Sequence, residues 1–241
     1  MIADLDQFID EIRTELAALG TAERAVNEKR YLKSDLDFLG VKVPVVRKRA
    51  KVWLRARGAI ERDELLELTG GLWTAGVHEL RSFAVDLSIF RFELLGLADL
   101  EWIERWLREA KTWAHVDAIS VNLVGGLLAR QPRVAKTLDR WARDDDFWVR
   151  RAAMLALLPG LRAGEGDWDR FVGYADSMLE EKEFFIRKAI GWILREASKK
   201  TPELVVDYVS SRRERMSGLT YREATRRLDD GARAMLSKPT G

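Results

Sequence analysis

Cysteine is absent from the 241 residues, which excludes structural disulfides and thiolate zinc sites. Histidine is almost absent. His78 and His115 are the only two, 37 positions apart, too few for a histidine-based metal centre. No metal and no cofactor are therefore expected. No apolar run approaches the roughly 20 residues of a membrane span. No segment alternates like a strand and ends in a hairpin turn. The opening stretch, MIADLDQFIDEIRTEL, is amphipathic and acidic, unlike a signal or transit peptide. These absences predict a soluble cytoplasmic protein with no membrane partner.

A formal net charge of +2 argues for nothing by itself, but its distribution is uneven. Residues 186–241 hold 13 Lys or Arg against 7 Asp or Glu, so this quarter is basic and the remainder acidic. A basic quarter suits a polyanion partner, or equally a solvated arginine-rich helical face. The nine tryptophans are many for this length. Most are expected in the core, although tryptophan also stacks on ligands and bases.

Apolar residues recur at three- and four-residue spacing in LDQFIDEIRTEL, AAMLALLPGL, FIRKAIGWILREA and ELVVDYVSS. Scattered glycines and prolines cut the chain into helices of ordinary length. No low-complexity linker divides it, so one domain over residues 1–241 is expected. Six segments share a frame: VVRKRAKVWL, ELRSFAVDLS, HVDAISVNLV, WVRRAAMLAL, FIRKAIGWIL and TYREATRRLD. The frame positions are Val46, Leu80, Val116, Val149, Ile186 and Tyr221, separated by 33 to 37 residues. That period predicts about six helix-turn-helix repeats stacked into a solenoid with a concave surface.

The residue after each frame position is Arg47, Arg81, Asp117, Arg150, Arg187 or Arg222. Lined up on one concave side, the arginines would make a basic trough with one carboxylate near its middle. Asp117 then has two readings. In the first it caps or complements its own helix and pairs with a neighbouring arginine. Alternatively it serves a ligand. Trp113 precedes it by four residues, so the two share a helical face, and Thr112 can cap that helix. A carboxylate beside tryptophans in a basic groove suits a ligand that becomes cationic against a phosphate backbone.

The segments RYLKSDLDFLGVKVPVVRK, TWAHVDAIS, DFWVRRAAMLALL and KEFFIRKAIGWILREASKKTPELV, in this order, carry a family resemblance. Together they span most of residues 30–208, and the chain resembles the AlkD-like DNA alkylation-repair glycosylases, built from HEAT-like repeats. The resemblance implies removal of positively charged N3- or N7-alkylated purines from duplex DNA by hydrolysis of the N-glycosidic bond. It also implies that the base is not fully flipped into a pocket. By position, Trp113, Asp117 and Trp192 match the family's catalytic aspartate and tryptophans, and Arg151 matches its arginine near the lesion. Arg150, Arg187, Lys188, Arg195 and Arg47 are the further phosphate candidates. Family members often carry Trp-Trp-Asp-X-Val-Asp where this chain has Thr112, Trp113, Ala114 and His115 before Val116. An aromatic and an acid are thus missing beside the site.

The resulting expectation is an all-α HEAT-like solenoid acting as a monomeric, metal-free DNA glycosylase, cytoplasmic and nucleoid-associated when bound to double-stranded DNA. A non-catalytic scaffold that binds DNA or protein through the same trough is the competing reading, since it keeps the repeats but has no use for Trp113, Asp117 and Trp192 together. A helical protein–protein adaptor, with the basic surface incidental, comes third.

Overall fold

The computed structural model describes residues 5–236, and among them there is no β-strand, only an isolated bridge between Asp37 and Val77. The chain forms two compact units, Met1–Ile119 and Ser120–Gly241.

The first unit holds α1 (Leu5–Ala17), α2 (Ala22–Leu32), α3 (Val43–Arg57), α4 (Arg62–Thr74), α5 (His78–Phe90), α6 (Leu100–Glu109) and α7 (Trp113–Ala118). A π-helical stretch, Ile119–Val124, follows α7. The second unit holds α8 (Gly125–Arg130), α9 (Val134–Trp141), α10 (Phe147–Leu155), α11 (Leu158–Ala163) and α12 (Trp168–Met178). It continues with α13 (Phe184–Ala197), α14 (Pro202–Arg212), α15 (Gly218–Thr225) and α16 (Asp230–Leu236). The starts are written in the sequence. Thr21, Thr112, Asp146, Asp167, Glu183 and Ser217 each cap a helix by accepting a backbone N–H within its first turn.

The repeat frame is realised as a buried row. Val46, Leu80, Val116, Val149 and Ile186 are at most 1% exposed, one each on α3, α5, α7, α10 and α13. The residue four further on is small or apolar and also buried: Ala50, Ala84, Ser120, Ala153 and Ile190. In the first unit α3 packs on α5 and α5 on α7; in the second α10 packs on α13 and α13 on α15. The last repeat is displaced by one residue from the expected frame. Thr220, not Tyr221, fills the buried position on α15, with Ala224 one turn on, and its Oγ1 donates to the Arg187 carbonyl at 3.4 Å. Tyr221 is half-exposed beneath the Arg213 guanidinium.

Buried charge also shapes the first unit. Glu79, 1% exposed, accepts the backbone N–H groups of Leu39, Gly40 and Val41 at 2.9, 2.7 and 3.0 Å. This fixes the loop that launches α3. Gly40 has φ +76°, and a Cβ there would meet the Thr21 carbonyl oxygen at 2.1 Å, so only glycine fits. Three tryptophans, Trp73, Trp106 and Trp141, are buried; the other six are only partly covered, fewer core members than the sequence suggested.

Candidate functional site

In the first unit, Thr112 builds the start of α7. Its hydroxyl is buried and accepts the Ala114 N–H at 3.2 Å, which leaves Trp113 as the first helical residue. Trp113 is half-buried, and its ring meets Tyr31 of α2 edge-on, centroids 5.9 Å apart at 85°. Tyr31 is 71% exposed. Asp117 follows one turn after Trp113 and is half-buried. Thr112 holds the cap, so the reading of Asp117 as the cap of its own helix is set aside. Tyr31 is a site residue the sequence reading passed over. Its exposed ring in RYLKSDL gave no signal by itself, because the ring it meets lies 82 positions away.

The residue between Trp113 and Asp117 on this turn turns inward. His115 is 2% exposed, and its Nε2 lies 3.2 Å from both the His78 carbonyl oxygen and Ser82 Oγ. Its ring stacks on His78 at 4.5 Å, and His78 in turn stacks on Phe38 at 4.7 Å. Trp73 tilts against His115 at 5.7 Å and stacks on Trp106 at 4.3 Å. Burial draws the His78 pKa down to about 4, with Arg81 adding to the fall. Burial, then the neighbouring His78, draws His115 well below the ordinary histidine value. Both rings are therefore neutral at physiological pH. Through these contacts His115 fastens α7 to α5.

The arginine that recurs after each frame position has a job the sequence did not reveal. Arg81 is 9% exposed, lies 4.5 Å over the Trp73 ring, and donates Nε to the Trp73 carbonyl at 2.9 Å and Nη1 to the Glu109 carbonyl at 2.6 Å. It ties together the last turns of α4 and α6 and does not line an open trough. Arg150 donates Nη1 to the carbonyls of Asp144 and Asp145 at 2.6 and 2.9 Å and Nη2 to Glu181 at 2.9 Å. Arg187 donates Nε to the Glu181 carbonyl at 2.7 Å. Asp144, Asp145 and Glu181 lie in the turns that lead into the arginine's own helix, so in these repeats the recurring arginine ties down helix-end and turn carbonyls.

In the second unit, Trp192 is half-buried on α13. Arg151 is 4% exposed and donates to the Phe185 carbonyl. Lys188 pairs with Glu223 at 2.8 Å, and Arg195 pairs with the same carboxylate. Burial raises the Glu223 pKa, but Lys188 and Arg195 outweigh it and the net shift is downward. Rings pack at the starts of α10 and α13: Trp148 lies 4.7 Å from Phe185 and Phe147 stacks parallel to Phe185 at 6.2 Å. Among the described residues no three histidine, aspartate or glutamate side chains cluster as metal ligands, and no helix is long and apolar enough to cross a membrane.

With this geometry in hand, comparison with known proteins is informative. The family model described as DNA alkylation repair enzyme matches residues 12–228. A predicted DNA alkylation repair enzyme from Enterococcus faecalis superimposes with TM-score 0.78 at 23% identity, over 88% of this chain and 97% of that one. AlkD2 from Streptococcus mutans superimposes with TM-score 0.64 at 14% identity, over 94% of this chain and all of that one. The smu.31 protein of Streptococcus mutans UA159 gives 0.60 at 14%, with the same coverage. No curated protein matches. At these identities the structural likeness speaks for the fold.

Proposed function

The chain belongs to the DNA alkylation repair enzyme family, and from that premise we propose that it hydrolyses the N-glycosidic bond of positively charged N3- or N7-alkylated purines in duplex DNA, without full base flipping. The observation that carries this reading is the first turn of α7, where capped Trp113 and Asp117 lie one turn apart beside the exposed ring of Tyr31.

The chemistry follows from the leaving group. An alkylated purine already carries its positive charge, so it departs without a general acid. The sugar left behind approaches an oxocarbenium ion, the species glycosidases stabilise with carboxylates. Asp117 would offset that charge and orient the attacking water. Trp113 and Tyr31 would present aromatic faces and edges to the deoxyribose, and Trp192 takes the second tryptophan's role by its match to the family. Of the cations, Arg47 is open to solvent and suits direct phosphate contact, whereas Lys188 and Arg195 would have to trade Glu223 for a phosphate. Arg150, Arg151 and Arg187 are committed to backbone carbonyls and contribute chiefly positive potential. We assign the protein a monomeric, metal-independent action in the cytoplasm.

The test is release of free base from duplex DNA carrying 7-methylguanine, in wild type and Asp117→Asn. The variant should keep its fold and bind DNA, yet lose on the order of 10²–10³ in rate, the scale of one missing electrostatic stabiliser. Equal rates would remove Asp117 from the mechanism. An inactive wild type that still binds duplex would point to the non-catalytic scaffold.

A further inference from the structure

A one-sided basic surface lies on α3. From Lys42 to Gly58 the sequence carries seven Lys or Arg and no Asp or Glu. Two of these cations are neutralised on one side of the helix: Arg49 pairs with Glu15, and Arg57 donates Nε to Glu64 at 3.0 Å. The opposite side is different. Arg47, Lys51 and Arg55 follow at four-residue steps, with Lys48 beside them, and all four are exposed. A helix turns 100° per residue, so these positions fall within an arc of about 100°. Among the described residues none of Lys48, Lys51 or Arg55 pairs with a carboxylate.

Arg47 is held in a different manner. Its Nε donates at 2.9 Å to Oδ1 of Asp86 on α5. The Asp86 side chain is 5% exposed, whereas that of Arg47 is 53% exposed. A carboxylate engaged through Nε grips the guanidinium from its side and leaves the two terminal nitrogens pointing away, the fork that fits a phosphate. Burial raises the Asp86 pKa while Arg47 pulls it back, as expected of a carboxylate kept inside for one partner.

This arrangement costs folding free energy. Like charges four apart on a helix are destabilising by roughly 0.2–0.5 kcal/mol per pair, and α3 sets two such pairs in a row. Among the described residues only Arg47 of these four has a carboxylate partner, and a local rule broken in this way is expected at functional surfaces. The spacing suits a regular polyanion. Three cations at four-residue steps span about 12 Å of helix, and a DNA strand carries a phosphate every 3.4 Å or so of its axis.

We propose that the exposed face of α3 binds the sugar–phosphate backbone of duplex DNA, through Arg47, Lys48, Lys51 and Arg55, with Asp86 as the positioning residue that aims the Arg47 fork. The proposal rests on the reading of this chain as a DNA-acting protein, but it fails or survives separately from the glycosylase chemistry.

The experiment uses an unmodified duplex oligonucleotide and the full chain, titrated between 50 and 200 mM salt. In Lys48→Ala/Lys51→Ala/Arg55→Ala, three phosphate contacts are lost. The affinity that wild type sheds across this salt range should exceed the variant's loss by about 40-fold, from a slope of about 0.9 per phosphate. These side chains are exposed, and thermal unfolding checks that the fold is kept. Asp86→Asn gives the second readout. Removing an anion near a polyanion should, by charge alone, tighten binding. If Asp86 aims Arg47, affinity falls instead, while the salt slope stays close to wild type because Arg47 keeps its charge. An unchanged slope in the triple variant overturns the proposal and leaves this face to another polyanionic partner, such as an acidic protein. Tighter binding in Asp86→Asn overturns the positioning role. Base release is scored in parallel. Release by wild type with an unchanged slope in the triple variant would sink only the α3 surface. A reduced slope with no release from wild type would sink only the glycosylase reading.

Discussion

The helices α3 and α13 hold equivalent places in their repeats, each with its frame residue buried and an arginine next in line, but their cations are used differently. On α13, Lys188 and Arg195 share the carboxylate of Glu223, and Arg187 is bonded to the Glu181 carbonyl. On α3, Lys48, Lys51 and Arg55 stand exposed, and Arg47 is gripped by Asp86 from one side only. The formal charge of a segment is therefore not its available charge. The basic C-terminal quarter, which drew attention by its count, consumes several of its cations internally, whereas the unneutralised face lies within the part of the chain that is acidic on balance.

The two units differ in the rings that stack at their helix starts. In the first unit the stacked pair is His78 on His115; in the second, Phe147 and Trp148 pack on Phe185. Acid should separate the units most strongly. His78 binds protons at about pH 4 in the fold and at about 6.5 when unfolded. The unfolded state thus takes up the proton first, and stability is lost as pH falls from 6.5 toward 4. By pH 5 the first unit should lose about 2 kcal/mol through His78 alone, and His115 acts in the same direction. The second unit has no histidine. Its lowered carboxyls, Asp139, Asp176, Glu196 and Glu223, contribute stability above their usual 3.8 or 4.5 and begin to lose it only below those values. Hydrogen exchange resolved by unit, between pH 7 and 5, checks this. Uniform loss of protection across both would break the contrast, and His78→Phe/His115→Phe should flatten the first unit's pH slope.

A contrast of similar size is expected from the arginines bonded to helix-end and turn carbonyls. Arg81→Met deletes a buried guanidinium bonded to two carbonyls and should cost the first unit roughly 2–4 kcal/mol. Arg187→Met deletes a half-exposed one with a single carbonyl partner, and about 1 kcal/mol is expected for the second unit. Unit-resolved unfolding in denaturant measures both, and similar losses would mean that burial does not set the value of this contact.

The smallest expected change sharpens the charge contrast directly. Glu223→Gln frees Lys188 and leaves Arg195 with Glu196 alone, and affinity for unmodified duplex should rise roughly three- to tenfold, since one or two cations become available to phosphates. Unaltered affinity in a binding titration would show that α13 does not face DNA at all.

The helical class, five of the six frame residues and the Thr112 cap were legible because each rests on local chemistry: periodicity, a buried row at fixed spacing, a hydroxyl before an apolar helix. The shift from Tyr221 to Thr220 was not legible, since a threonine satisfied by the Arg187 carbonyl fills a position that looks aromatic on paper. Within the candidate site, Trp113 and its helix were readable, but Tyr31 was not, because the ring contact joins distant segments. The recurring arginines pointed to a trough, yet Arg81, Arg150 and Arg187 answer backbone carbonyls, and nothing in a one-dimensional pattern separates an arginine meant for a phosphate from one meant for a helix end. Asp86 is the converse case. A lone aspartate in FAVDLS carries no signal until the structure shows which exposed guanidinium it holds.

The stacked indoles of Trp73 and Trp106, parallel within 4° and both buried, have an optical consequence. Held face to face in a dry setting, they should emit as a coupled pair at short wavelength and stay indifferent to anything docking outside. Trp113, half-open on the same unit, is placed to change colour and intensity when a ligand covers it. The first unit thus contains both an internal reference and a sensor, so once the other partly covered tryptophans are replaced by phenylalanine, fluorescence can distinguish loss of fold from occupation of the surface without a label.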